Sequence, residues 1–256
     1  MANSPYAGRR EDEWLAITRR LISSHPLNTS LILDAALSAW DTLWRTTVGN
    51  GKTSVALDQL NVPATVIGYF FEVLLARELE VRCPRKWQRS QSKDQKDLVY
   101  VPDPALSVEV KTSGQAGYKI YGNRSYGQKS ENATLVKKEK SGYYLTCNFW
   151  GQTITLLRFG WIDADDWKPQ LAPTGQMAGL SDAVYRYKLI ALPGAYRAKA
   201  PIQLLDGVGP ATAEQFREHG IRTIQDLLEK RGGLPKKLAT ILARNEDYLR
   251  GCKGPS

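Results

Sequence analysis

The chain has 256 residues, 42% of them hydrophobic, which is enough for one full α/β domain with a small appendix and an ordinary core. Its formal net charge of +9 points to a polyanionic partner, and three distant cysteines (Cys83, Cys147 and Cys252) without a CxxC pair exclude a disulfide framework. The opening "MANSPYAGRREDEW" lacks an apolar signal core, and no run approaches the roughly 20 apolar residues of a membrane span, so the expectation is a reduced cytoplasmic protein with no membrane partner.

In chain order, residues 11–24 and 30–46 read as helices. In the second, Leu33, Ala36, Leu37, Trp40, Leu43 and Trp44 recur at helical spacing, which predicts a core stripe. "TTVGNGKTS" at 46–54 ends like a phosphate loop. However, Thr46 stands where the first loop glycine belongs and the preceding segment reads as helix, so an exposed loop and no nucleotide cofactor are expected. Residues 64–82 form a third, strongly apolar helix, with Glu72 on a stripe with Gly68, Leu75, Ala76 and Leu79. A glutamate there needs a cation or a hydrogen-bond partner, which an arginine or a metal site would supply. The basic stretch 83–96 reads as an exposed connection. Strands are expected at 97–102, 106–113, 142–150 and 153–161, the last two joined by a Gly-Gln turn. "DADDW" looks like a helix start capped by Asp163 or Asp165. A loop-rich stretch leads to a last strand in "AVYRYKLIAL", and 193–201 reads as a linker.

The informative stretch is "DLVYVPDPALSVEVKTS", residues 97–113. Folded as a hairpin centred on Asp103, it pairs Leu98 with Val108 and Asp97 with Glu109. Opposed side chains share a face with Cβ atoms about 5 Å apart, so the two carboxylates repel unless a cation lies between them. Mg²⁺, which prefers oxygen ligands and keeps several waters, fits that gap. Lys111 lies on the same face and can hold a water beside a bound phosphate. Asp103, between two prolines, makes turn chemistry and cannot reach Lys111, so the literal "PD" at 102–103 is a decoy. The alternative is a hairpin whose Asp and Glu simply face solvent. Between Arg77 and Lys140, 14 Lys and Arg stand against 8 Asp and Glu, so six of the nine surplus positive charges surround this hairpin.

D-x(11)-E-x-K on a hairpin, after a helix carrying G-x-x-x-E, resembles the PD-(D/E)XK nuclease superfamily. "IYGNRSYGQ" at 120–128, "KSGYYLTCNFW" at 140–150 and "LLRFGWIDADDW" at 156–167 are similar to ScaI-type type II restriction endonucleases, over about residues 30–195. The resemblance implies a mixed α/β sheet flanked by helices, with a nuclease domain at 1–195 (N-terminal helices 11–82, catalytic sheet 97–161). It implies Mg²⁺-dependent cleavage of double-stranded DNA at a short palindrome by a homodimer, leaving 5′-phosphates. Asp97, Glu109 and the Val110 carbonyl would hold the metal, Lys111 would position the attacking water, and Glu72 would assist. Lys96 stands where that superfamily usually has proline. The loop after Lys111 mixes Tyr, Asn, Arg and Gln with positive charge. Asn and Gln can read adenine and Arg guanine, which makes Asn123, Arg124 and Gln128 candidate DNA contacts.

"PIQLLDGVGPATAEQFREHGIRTIQDLL", 201–228, resembles a helix-hairpin-helix, so 196–256 reads as a small all-α DNA-binding domain. Gly207, Val208 and Gly209 would form the hairpin whose N–H groups hold a phosphate, with Lys236 and Lys237 nearby. This module keeps a second reading open, a repair or recombination nuclease aimed at DNA structure. A third is a DNA-binding protein with an inactive core, against which the intact Asp97, Glu109 and Lys111 argue. Two scattered histidines, His25 and His219, exclude a His-rich zinc site.

Overall fold

The computed structural model describes residues 4–115, 117–123, 126, 139–169, 177–230, 232 and 234–252. Three helices open the chain close to where periodicity places them. α1 (Glu11–Ser23) carries Glu11, Asp12 and Glu13 in its first turn, where carboxylates complement the helix N-terminus. α2 (Thr29–Trp44) starts at Asn28, whose Oδ1 accepts the Leu31 N–H at 2.9 Å. α3 (Ala64–Arg82) follows Pro63 and packs on α2. The buried stripe of α2 is Ile32, Ala35, Ala36, Ala39, Trp40 and Leu43, rotated from the predicted one, and Leu37 is exposed. Close approach of two helices favours small residues at the contact, so the alanines take the face that size alone would have given to Leu33 and Leu37. Trp40 anchors that contact, edge-on to Phe71 at 5.6 Å.

Between α2 and α3, β1 (Thr47–Val48) and β2 (Val55–Ala56) form a small antiparallel hairpin with Gly51–Thr53 in a 3-10 turn. The Gly-Lys-Thr run therefore leads into a strand and not into a helix.

A six-stranded sheet dominates the rest. Its strands are β3 (Trp87–Arg89), β4 (Leu98–Tyr100), β5 (Val108–Ser113), β7 (Gly142–Trp150), β8 (Thr153–Ile162) and β11 (Leu189–Ala191), in the order β11-β8-β7-β5-β4-β3. A second, small sheet joins β6 (Gly122–Asn123), β10 (Met177–Gly179) and β9 (Lys168–Pro169). β7 and β8 are buried along nearly their whole length, which explains their almost continuous apolar runs. α3 packs on β5 and β3. At Gly68 a Cβ would come within 2.1 Å of Thr112 Oγ1, so only glycine admits this approach.

Three expectations fail here. The stretch 83–96 is not wholly an exposed connection: it contains β3, whose Trp87 is buried against Tyr100 (4.9 Å) and near His25 (6.2 Å). A lone tryptophan among charges hides a short edge strand from any periodicity test. "AVYRYKLIAL" is not one strand, because Val184–Lys188 is a π-helical turn and only Leu189–Ala191 extends. The turn directs Lys188 inward to Asp163 and Asp166, while the Tyr187 carbonyl accepts the Thr18 hydroxyl at 2.7 Å. Residues 193–201 are no exposed linker, since they contain a 3-10 helix (Ala195–Lys199) with Arg197 and Ala200 buried. "DADDW" forms a 3-10 turn with Asp163 as its cap.

The chain divides into two compact units. One comprises 1–113, 119–146 and 158–190; the other comprises 114–118, 147–157 and 191–256. The second contains α4 (Pro210–Glu218), α5 (Ile224–Glu229), α6 (Lys236–Arg244) and α7 (Glu246–Gly251) around a core that includes Leu205, Val208, Phe216, Ile224, Leu238 and Leu249. The tip of the β7–β8 hairpin belongs to it: Tyr248 Oη donates to the Thr155 carbonyl at 2.9 Å, and the Leu157 N–H donates to Tyr196 Oη at 3.1 Å. Arg197 lies 3.9 Å from the centre of the Tyr248 ring. No described helix is long and apolar enough to cross a membrane.

Candidate active site

The hairpin of β4 and β5 has the predicted register, with Leu98 opposite Val108. Its turn is a 3-10 helix, Pro104–Leu106, capped by Asp103, whose Oδ1 accepts the Ala105 N–H at 3.0 Å. Asp103 is exposed and spent on the turn. Asp97, immediately before β4, is buried, and its Oδ2 accepts the Val110 N–H at 2.8 Å. That bond crosses the hairpin and brings the Asp97 carboxylate to the strand that carries Glu109 and Lys111.

Glu109 is only 2% exposed. Its Oε1 accepts from Lys111 Nζ at 2.7 Å and from Tyr126 Oη at 2.8 Å. Lys111 Nζ also donates to the Val110 carbonyl at 3.2 Å. Burial disfavours the Lys111 ammonium, but the Glu109 and Asp97 carboxylates outweigh that effect, so its pKa lies above the ordinary lysine value and it stays protonated. Burial and the Glu109 charge together raise the Tyr126 phenol, which remains a hydrogen-bond donor.

Around this core lies a second layer absent from the sequence reading. The Tyr126 ring is 5.2 Å from Lys111 Nζ and 5.7 Å from Lys140 Nζ, and meets Trp167 edge-on at 4.9 Å. Lys96, the residue in the expected proline position, puts its Nζ 5.0 Å from the Tyr144 ring, and its stem passes the place where a Cβ on Gly142 would project. The Tyr144 hydroxyl donates to the Lys140 carbonyl at 2.5 Å. Tyr126 sits inside "IYGNRSYGQ", where an aromatic in a polar loop was the available signal. Nothing local marked Tyr144 or Lys140.

The other candidates fare unequally. Glu72 is half-buried on α3, one turn beyond Gly68. Gly68 meets Thr112, which projects from the face of β5 opposite to Glu109 and Lys111. Asn123 is exposed at the end of β6, and Arg124 and Gln128 lie outside the described residues. Gly207 has φ +86°, which requires glycine, whereas Gly209 (φ −83°) caps α4 in an ordinary conformation with Pro210 in its first turn. The Val208 side chain is buried in the helical core and its N–H donates to Leu205 at 3.1 Å, so Val208 is not available to a phosphate in the way the sequence implied. Lys236 is exposed at the start of α6, and the side chain of Lys237 lies outside the described residues.

Two buried carboxylates and a backbone carbonyl give an all-oxygen donor set, suited to a hard divalent cation that keeps waters of its own. Among the described residues no cluster of three or more His, Cys, Asp or Glu forms a fuller cage. Carboxylates that could hold such a cation beside a protonated lysine, on one hairpin of a helix-flanked mixed sheet, define the chemistry of a hydrolase acting on an anionic ester. Comparison with known proteins gives the family. Residues 4–193 match the ScaI restriction endonuclease family. The type II restriction enzyme ScaI of Streptomyces caespitosus is 35% identical over 199 residues, covering 75% of this chain and 85% of that protein. The chain therefore belongs to the ScaI restriction endonuclease family and is an endonuclease. No solved structure matches it.

Proposed function

We propose that the protein is a type II restriction endonuclease that cuts double-stranded DNA at a short palindrome, with Mg²⁺ as cofactor, and leaves 5′-phosphates. One observation carries the reading: Asp97, Glu109 and Lys111 share one hairpin, bonded through the Val110 N–H and Glu109 Oε1, in a chain of the ScaI family. Asp97, Glu109 and the Val110 carbonyl are the groups that would hold Mg²⁺. When bound, the ion supplies Lewis-acid stabilisation of the phosphate and lowers the pKa of a coordinated water. Lys111, fixed by Glu109, orients the water oxygen that bonds to phosphorus as the bond to the 3′-oxygen breaks. The attacking water gives up one proton to solvent and the departing 3′-oxygen takes one up from solvent, and the phosphate stays on the 5′ end. The fold in this reading is of PD-(D/E)XK type, with 196–256 as a helix-hairpin-helix that grips phosphates. Cutting both strands of a palindrome calls for two sites related by a two-fold axis, hence a homodimer on DNA.

The test is a plasmid digest with Mg²⁺ and with EDTA, followed by mapping of the ends. Discrete fragments only with Mg²⁺ and labelled 5′-phosphate ends are expected. Gly207 in its left-handed turn before α4 supports the structure-directed alternative, which predicts cuts at branched or bent DNA and no discrete plasmid bands. Sedimentation showing one chain per duplex, with nicks as the only product, would sink the dimer.

A further inference from the structure

The segment that resembles a DNA-reading loop also supplies a bond to the catalytic carboxylate. It is tied down at Ile120, whose N–H donates to Tyr185 Oη at 3.0 Å and whose carbonyl accepts from the same hydroxyl at 3.2 Å. Gly122 and Asn123 then pair with β10. A Cβ on Gly122 would stand 2.9 Å from Tyr126 Cγ and 3.2 Å from Trp167 Cε3, so the Tyr126 ring is wedged over the loop's own backbone. Beyond that ring the hydroxyl reaches Glu109 Oε1 at 2.8 Å, on the oxygen that also takes Lys111 Nζ. The ring itself lies beside Lys111 and Lys140.

Phenylalanine would fill the same space between Gly122 and Trp167. Packing alone therefore leaves the hydroxyl unexplained, and its partner is the least exposed carboxylate of the site. We propose that Tyr126 is a positioning residue that couples the DNA-facing segment around Asn123 to the active site: its hydroxyl holds Glu109 in the orientation needed to bind the metal and to fix Lys111. Engagement of this segment by the correct DNA then reaches the catalytic carboxylate through one side chain. The proposal rests on the reading of Asp97 and Glu109 as metal ligands.

The test uses the full-length protein and Tyr126→Phe, with Mn²⁺ as the probe, its free concentration read by electron paramagnetic resonance without DNA. Removing a bond to a metal-ligating carboxylate is expected to weaken Mn²⁺ affinity roughly ten- to a hundredfold. Cleavage at low Mg²⁺ should fall in step and recover as Mg²⁺ is raised, while DNA affinity in EDTA stays at the wild-type value. Trp167→Phe, which loosens the support of the ring but keeps the hydroxyl, should lower the melting temperature and leave Mn²⁺ affinity unchanged. Wild-type Mn²⁺ affinity and Mg²⁺ dependence in Tyr126→Phe would overturn the proposal. So would an equal loss of affinity in Trp167→Phe, which would reduce Tyr126 to a packing role. Wild-type Mn²⁺ affinity in Glu109→Gln would instead remove the metal reading itself, a separate failure visible in the same assay.

Discussion

Two lysines of the first unit each sit between a pair of acids and aromatic rings, yet their surroundings are complete to different degrees. Lys188 is 3% exposed and donates to Asp163 Oδ2 (2.8 Å), Asp166 Oδ2 (2.8 Å) and Asp166 Oδ1 (2.9 Å). The rings of Tyr6 and Trp14 flank it at 4.4 Å each. Its carboxylates are saturated in turn, Asp163 by Ser4 and the Trp161 indole, Asp166 by the Asp163 N–H. Lys111 is 18% exposed, donates to Glu109 and to the Val110 carbonyl, and among the described residues has no third acceptor. The first cluster is closed and fastens the N-terminal segment to the π-helical turn. The second, among the described residues, satisfies two of the three ammonium protons. In the proposed function, similar residue types serve stability in one place and chemistry in the other, and the number of satisfied donors differs between them.

The comparison breaks most sharply if the open cluster proves dispensable. In the proposed function Asp97→Asn and Glu109→Gln would remove anionic metal ligands whose loss is worth several kcal/mol in the transition state, so cleavage should drop by a factor on the order of 10³. Lys111→Ala should lower it by about 10² to 10⁴, the range for a positioned acid-base or water-orienting group. Binding in EDTA should change little in all three, the melting temperature should fall in Lys111→Ala, which leaves Glu109 buried without its cation, and Asp103→Asn should cleave as wild type. A dead Asp103→Asn, or a fully active Asp97→Asn, would reverse the assignment of the two aspartates.

The closed cluster should respond the opposite way. Lys188→Met leaves Asp163 and Asp166 buried without their cation, and breaking a buried pair in this manner costs about 3–5 kcal/mol. Denaturant unfolding should show that loss, while the cleavage rate per folded molecule with saturating Mg²⁺ stays near wild type. A variant that is stable but inactive would place Lys188 in the active site.

How far this contrast could be read from sequence follows from the range of the interactions. The β4–β5 hairpin was legible because its partners lie within seventeen residues, and the apolar alternation fixes the register that pairs Leu98 with Val108. The helices 11–82 and the hairpin β7–β8 were legible for the same reason. The Lys188 cluster was not, since its acids precede it by 25 and 22 residues and its rings by more than 170. Tyr126 and Tyr144 escaped because no period marks a loop hydroxyl that bonds to a carboxylate 17 residues back or a strand hydroxyl that turns back to the Lys140 carbonyl. Residues 193–201 carry linker composition, and only the packing of Arg197 on Tyr248 makes them part of a core. Side-chain size alone mislocates the stripe of α2, because close approach to α3 selects its alanines.

Acid offers a gentler probe of the first unit, away from both clusters. His25 packs against Tyr143 (4.2 Å) and Phe159 (5.0 Å), accepts the Leu27 N–H on Nδ1 and, through Nε2–H, donates to the Leu106 carbonyl. Burial pushes its pKa down from 6.5 to about 4. The unfolded chain therefore binds a proton between those values that the folded chain refuses. Stability from this group is complete above about pH 6.5 and is lost as pH falls toward 4, on the order of 3 kcal/mol in all. Thermal unfolding of wild type and His25→Gln across that window should show a slope in the first that is reduced in the second. Equal slopes would mean that carboxylates alone govern acid unfolding.

The smallest expected effect lies in the helical unit, where the question is whether it offers donors to an outside partner. Deleting 201–256 is a poor test, because Tyr248 and Leu249 belong to the core that surrounds Arg197 and the β7–β8 tip. Lys236→Ala with Lys237→Ala leaves that core alone. If both lysines meet phosphates, each contact contributes about −0.9 to the slope of log affinity against log salt, so the double variant should flatten the slope by about 2 and weaken binding at low salt. Phosphate contacts carry no sequence information, so the map of cut sites should not move. Gly207→Val strains a residue at φ +86° and should distort the turn that precedes α4, flattening the slope further at some loss of stability. Gly209→Ala, where a Cβ meets nothing within 4 Å, is the matched control and should behave as wild type. An unchanged slope in the lysine variant would make this unit a closed packing module, on the side of Lys188. A changed cut map would mean that it reads bases or DNA shape.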